Sequence, residues 1–134
     1  LNGKTLIVEF ARGGEHGYAD ALSQLSPKIV KRAVILYVNV SFEESWRRNV
    51  ARYDEKRKSG LLTHSVPRAE MEATYGIDDW FGIAPHQNGT ITAQGISVPY
   101  VTMNNEPESK DPQVLGPRYA AALNAVYSVW KEKR

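Results

Sequence analysis

The chain has 134 residues, of which 42% are hydrophobic and 24% charged, with 17 Lys and Arg against 15 Asp and Glu for a formal net charge of +2. That length bounds one domain with a real core, the composition excludes a largely disordered chain, and +2 is too small to argue for nucleic-acid binding from the total. With no cysteine, disulfides, thiolate nucleophiles and cysteine-ligated zinc drop out; with no apolar run near the roughly twenty residues of a membrane helix and no basic-then-apolar leader, a cytoplasmic address is the default.

In chain order, Leu6, Ile7 and Val8 form a short apolar run that predicts a strand buried on both faces. It ends in Glu9, with Arg12 three residues on and Gly13-Gly14 behind, so an acid and a base would project from the carboxyl end of that strand, where open α/β sheets place ligands. A buried strand with charged loop residues reads equally well. Gly3-Lys4-Thr5 matches the end of a GxxxxGK(S/T) phosphate loop, but a strand rather than a helix follows, so it reads as a polar loop. Tyr18, Leu22 and Leu25 recur at helical spacing, and Ser26-Pro27 predicts a cap and a second helical piece. AVILYVNV, residues 33–40, predicts a second buried strand, parallel to the first through a crossover. Because the chain begins at Leu1, without methionine, and would enter a core strand within about five residues, residues upstream are expected.

Ser41 with Glu44 three residues on is a capping box, so a helix should start directly after that strand. Trp46, Val50 and Tyr53 mark its buried face, while Arg48, Arg52 and Lys56 stack at i+4 steps on the other side, with Arg47, Arg57 and Lys58 nearby. After Gly60 the pattern loosens, with a short helix expected over 67–75 closed by Gly76, and residues 47–87 read together as a lid-like segment. Trp80 and Phe81 should pin it to the body. Asn88-Gly89 opens a turn, Thr90 leads an alternating run, and Gln94-Gly95 turns into a last strand over 96–103, whose Pro99 predicts the sheet margin. Asp111-Pro112 or Gly116-Pro117 starts a final helix with Leu115, Tyr119, Leu123, Val126, Tyr127 and Trp130 as its apolar stripe.

The four arginines at 47, 48, 52 and 57 suit contact with phosphoryl oxygens, since guanidinium donors are planar and bidentate. A solvated helix face balanced by Glu43, Glu44, Asp54 and Glu55 reads equally well. His16, His64 and His86 are too scattered for a metal site, and Asp78-Asp79 lacks partners at ligand spacing, so no metal ligands are assigned and capping is the default. Trp46 and Tyr53 lie on the buried side by spacing, which argues against stacking on single-stranded nucleic acid.

Taken together, strand-end Glu9 with Arg12, VILYVNVS followed by EESWRRNVAR, the loose lid and ISVPYVTMNN before a closing helix resemble the later part of a P-loop kinase of the nucleoside or nucleotide type. The resemblance covers most of the chain and lacks the family's first strand and phosphate loop. It implies a single α/β domain over 1–134, three-layered with a mostly parallel sheet flanked by helices, and a parent enzyme that transfers the γ-phosphoryl group of ATP, with Mg²⁺, to a small acceptor such as a nucleoside or nucleotide. Glu9 would orient or deprotonate the acceptor hydroxyl or hold the Mg²⁺ water shell, Arg12 would contact phosphate, and Arg48 and Arg52, with Arg47 and Arg57, would be lid arginines. Asn104 and Asn105 would lie near the base. The exposed strand edges left by the missing strand imply self-association. A non-catalytic module that binds an anionic ligand or partner through the basic helix is the competing expectation.

Overall fold

The structure is a computed structural model and describes residues 5–60 and 65–133. Gly3, Lys4 and His64 therefore lie outside the described residues. The elements are α1 (Tyr18–Ser23), α2 (Pro27–Val30), β1 (Ile35–Asn39), α3 (Phe42–Lys58), α4 (Arg68–Tyr75), α5 (Trp80–Ile83), β2 (Asn88–Ala93), β3 (Ile96–Asn104) and α6 (Pro112–Glu132).

The chain is α/β, with a small mixed sheet ordered β1-β3-β2 among the described residues. β1 and β3 run parallel from Ile35 opposite Tyr100 to Asn39 opposite Asn104. β2 and β3 form an antiparallel hairpin, closed by Gln94 at φ 53° and Gly95 at φ 71°. Two consecutive positive-φ residues twist the hairpin in the hand that β-strands favour. The sheet is thus smaller and more mixed than the mostly parallel arrangement expected.

Three expectations are corrected. Residues 5–12 form no strand: Leu6, Ile7 and Val8 are 63%, 84% and 54% exposed. A strand exists through its ladder, and no sheet edge takes this run; the segment is held instead by a Gly13–His16 bridge, by Gly14 N–H donating to Ile77 C=O at 2.9 Å, and by Phe10 against Tyr18. The expected crossover from it to β1 is therefore absent, and the parallel pair is β1–β3. Pro99 lies on the central strand, not a marginal one. The parallel ladder begins one residue later, at Tyr100, so at Pro99 the central strand has only β2 beside it and the missing N–H removes no β1 bond. The stripe of α6 is also rotated. Its buried residue is Ala122, while Tyr119, Leu123 and Tyr127 are 40%, 58% and 59% exposed.

Local signals place the helix starts. Ser41 Oγ accepts from Glu44 N–H at 3.4 Å, and Asp111 Oδ1 accepts from Gln113 N–H at 2.9 Å with Pro112 in the first turn. Gly116-Pro117 falls inside α6. The core on one sheet face joins Leu22, Val30, Trp80, Ala84, Ile91, Val98 and Tyr100. Trp80 stacks on Tyr37 (centroids 4.5 Å apart, 7° between planes) and donates its Nε1–H to Thr102 Oγ1 at 2.9 Å. Trp80 thus pins the stretch before β2 to the sheet, whereas Phe81, expected to do the same, is left 52% exposed. Val101 and Met103, of the opposite parity on β3, are also buried, and α6 packs against β3 and β1.

Candidate functional site

The site is built where the two parallel strands end. After β1 the chain turns at Val40 and Ser41 into α3; after β3 it runs through Asn105, Glu106 and Glu108 towards α6. Asn105 N–H donates to Asn39 C=O at 2.9 Å, extending the β1–β3 pairing by one rung and fixing the second loop against the first. Ser41 N–H then donates to the Glu106 carboxylate. This is the half of the capping box that Glu44 was expected to fill, and it holds the Glu106 carboxyl below its ordinary range.

Glu44 is thereby released to organise the arginines. Its Oε2 accepts from Arg47 Nε at 2.6 Å and its Oε1 from Arg48 Nε at 2.8 Å, with Arg47 also donating a second bond at 2.8 Å. The bonds from Arg47 first, and from Arg48 second, hold the Glu44 carboxyl down to about 2. The same bonds, with one to Glu108, push Arg47 up.

Arg48 is not on a solvated face. Its side chain is 13% exposed and turns towards the second loop, donating to the Asn105 carbonyl at 2.7 Å. Arg47 bridges outward to Glu108 Oε2 at 2.5 Å. Arg52, one turn further along, is exposed and donates only to the Arg48 carbonyl of its own helix, at 3.3 Å; among the described residues it meets no carboxylate. Val40, Ser45, Arg48, Arg52, Met71 and Glu108 line an open groove of about 310 Å³. Met71 brings α4 to its wall. Arg68 on α4 pairs with Glu43 and lies over Phe42 and Trp46, at 5.4 and 5.8 Å from the ring centroids, clasping α4 to α3. Trp46, Val50 and Tyr53 are half-buried, and no residue of α3 is fully buried.

The residues expected to act together therefore divide. Arg48 and Arg52 line one groove and Arg47 lies beside it on Glu44 and Glu108, with Asn105 and Asn104 at the same strand end; Asn104 Oδ1 accepts from Glu106 N–H at 3.3 Å, and Asn105 Oδ1 from Arg118 at 3.3 Å. Arg57 is exposed in the last turn of α3, where its charge complements the helix dipole. Glu9 and Arg12 are both exposed in the irregular 5–12 segment, and among the described residues neither is bonded to an arginine of α3. Glu106 and Glu108 were missed from the sequence. No spacing links them to α3, because both act across more than sixty residues of chain.

Asp78 and Asp79 act as caps. Asp79 accepts from the N–H groups of Tyr18 and Ala19 at 2.6 and 2.9 Å, starting α1 from a distance, and Asp78 accepts from Trp80 N–H at 2.9 Å and Tyr37 Oη–H at 2.6 Å. A second groove of about 310 Å³, between Leu22, Ile83, Ile91 and Ala93, carries no ionisable side chain. Among the described residues no three His, Asp or Glu side chains gather as a metal site, and no helix is long and apolar enough to cross a membrane.

Chemically, the arrangement places guanidinium groups, whose donors suit oxyanions, beyond the carboxyl ends of two parallel strands. No protein-family model matches the sequence, and no curated protein or solved structure matches it significantly.

Proposed function

We propose that the groove between α3 and the 105–110 loop binds a phosphoryl group, and that the chain is the arginine-bearing portion of a cytoplasmic, kinase-like phosphotransferase related to the P-loop nucleoside and nucleotide kinases. The observation that carries this reading is the pair Arg48 and Arg52 lining a groove of about 310 Å³ beyond the ends of β1 and β3. Phosphoryl transfer asks a protein mainly for positioning and charge neutralisation, and convergent arginines supply both. Arg52 offers donors without a carboxylate partner, and Arg48 is held in place by Glu44 and Asn105 before any ligand arrives.

ATP fits this donor set through its phosphates. Since the described residues gather no carboxylate cage, Mg²⁺ would arrive held chiefly by the nucleotide's own phosphates, as that ion commonly is. In this proposal Glu9 would serve the acceptor hydroxyl or the Mg²⁺ water shell and Arg12 an acceptor or transferring phosphate, both from the irregular 5–12 segment rather than from a strand end. Calorimetric titration of Mg-ATP into the wild-type chain and Arg52→Ala tests the reading: binding that weakens about tenfold in the variant is expected for one lost charge-assisted contact. Equal affinity in both would refute it.

A second reading, a non-catalytic module that binds an anion, is favoured by one observation: Glu9 and Arg12 are not joined to the arginine groove. Under it tripolyphosphate binds as well as Mg-ATP, and no phosphate is transferred to any nucleoside or nucleotide acceptor.

A further inference from the structure

We propose that Glu108 is a displaceable internal ligand of the arginine groove, whose carboxylate stands where a phosphoryl group binds and sets the charge a ligand must carry to enter. This rests on the reading of the groove as a phosphoryl site.

The two carboxylates on the arginines differ in how they are held. Glu44 belongs to α3 and reaches Arg47 and Arg48 at i+3 and i+4, with both oxygens engaged. Its side chain is 17% exposed. Rotating it away breaks three charge-assisted bonds to two arginines at once. Glu108 comes from another element and is held at one end: Oε2 accepts from Arg47 at 2.5 Å, while Oε1 stands 3.9 Å from Arg48 Nε, beyond hydrogen-bond reach. Its side chain is 36% exposed and lines the groove beside Arg52.

The loop stays anchored if Glu108 lets go. Asn105 holds Arg48 through its carbonyl and β1 through its N–H, Glu106 caps α3 at Ser41, and Lys110 pairs with Glu55 at 3.0 Å. One rotation of the Glu108 side chain therefore opens the groove without dismantling its frame. A monoanion offers Arg47 no more than Glu108 already does and gains nothing by exchange. A phosphoryl chain carries more charge and more acceptor oxygens than a carboxylate, so it engages Arg48 and Arg52 in the groove, takes the place of Glu108 on Arg47 and expels Glu108 by like-charge repulsion. With Glu108 gone, the acids left beside these arginines are Glu44 and Glu106, each already engaged, by Arg47 and Arg48 and by the Ser41 N–H. The ligand class selected is an oligophosphate.

The test is calorimetric titration with inorganic tripolyphosphate, and separately with acetate, against wild type, Glu108→Gln and the distant surface variant Glu132→Gln, which makes the same change in net charge. The expected result is binding of tripolyphosphate to all three, about tenfold tighter to Glu108→Gln than to the other two, with acetate bound detectably only once Glu108 is neutralised. Equal tripolyphosphate affinity in wild type and Glu108→Gln overturns the proposal while leaving the phosphoryl reading intact. Weaker binding in Glu108→Gln, the sign of a strut that shapes the site, overturns it as well. Equal tightening in Glu132→Gln would show an effect of net charge alone and also overturns it. Binding to none of the three overturns both readings.

Discussion

Arg48 and Arg52 stand one turn apart on α3 and look equivalent in the sequence, yet truncating them should have very unequal consequences for stability. Arg48→Ala removes a charge-assisted bond to Glu44 at 2.8 Å and another to the Asn105 carbonyl at 2.7 Å, at a side chain only 13% exposed. Glu44 keeps Arg47, so its charge stays compensated, but the Asn105 carbonyl loses its guanidinium partner. Taking about 1 kcal/mol for each bond after exchange with water, and allowing for the stem packing lost with them, the cost is about 2–3 kcal/mol. For a domain of this size that lowers the melting temperature by roughly 6–12 °C. Arg52→Ala loses one bond of 3.3 Å to a carbonyl of its own helix. Its cost is about 0–0.5 kcal/mol. Urea unfolding followed by circular dichroism compares the two midpoints at constant m-value. Equal midpoints would refute the inward placement of Arg48. The asymmetry also decides how function is probed: Arg52→Ala reports on ligand binding alone, and Arg48→Ala mixes binding with folding.

Three further outcomes follow from the packing around the site. Gly17→Ala would set a Cβ 2.4–2.7 Å from the Asp79 carboxylate that caps α1, so that carboxylate must leave Tyr18 and Ala19; a loss of about 2 kcal/mol in denaturant unfolding is expected, against near neutrality if Asp79 can shift and stay bonded. Glu44, held down to about 2 from 4.5, contributes stability that is fully present above pH 4.5 and is lost as pH falls towards 2; in Glu44→Gln the acid limb of a stability–pH profile should flatten over that window, and an unchanged limb would contradict the pairing. Tyr37, whose phenol is pushed up by burial and then by its bond to Asp78, contributes stability that is present below pH 10 and declines as pH rises beyond it; Tyr37→Phe should lose about 1 kcal/mol at neutral pH and soften the alkaline limb.

What could be read from the sequence was what is decided locally. Ser41 and Asp111 cap because a short polar side chain two or three residues before an N–H needs nothing else, and the Gln94-Gly95 turn follows from the alternation on either side. The i+3 and i+4 spacing of Arg47 and Arg48 from Glu44 was likewise present in the sequence, and it assembles the fork. The misreadings depended on partners distant in sequence. Leu6, Ile7 and Val8 have the composition of a strand and no ladder, Pro99 sits centrally because β1 joins one residue late, and α6 turns Ala122 rather than its large apolar residues to the sheet. The choice between a solvated and a ligand-facing Arg48 stayed open in the sequence because its inward turn is fixed by Asn105, which arrives 57 residues later. Glu108 had no local signal at all, since its partner Arg47 lies 61 residues earlier.

The location of the ligand is the claim on which the rest depends. Amide and arginine Nε resonances followed by ¹H–¹⁵N correlation spectroscopy during addition of tripolyphosphate locate it directly. Shifts are expected at Ser41, Ser45, Arg47, Arg48 and Arg52 and in the 104–110 loop, with the Leu22–Ile91 groove silent. Saturable shifts centred on the 5–12 segment or on the last turn of α3 around Arg57, with the Arg48 and Arg52 signals unmoved, would contradict it.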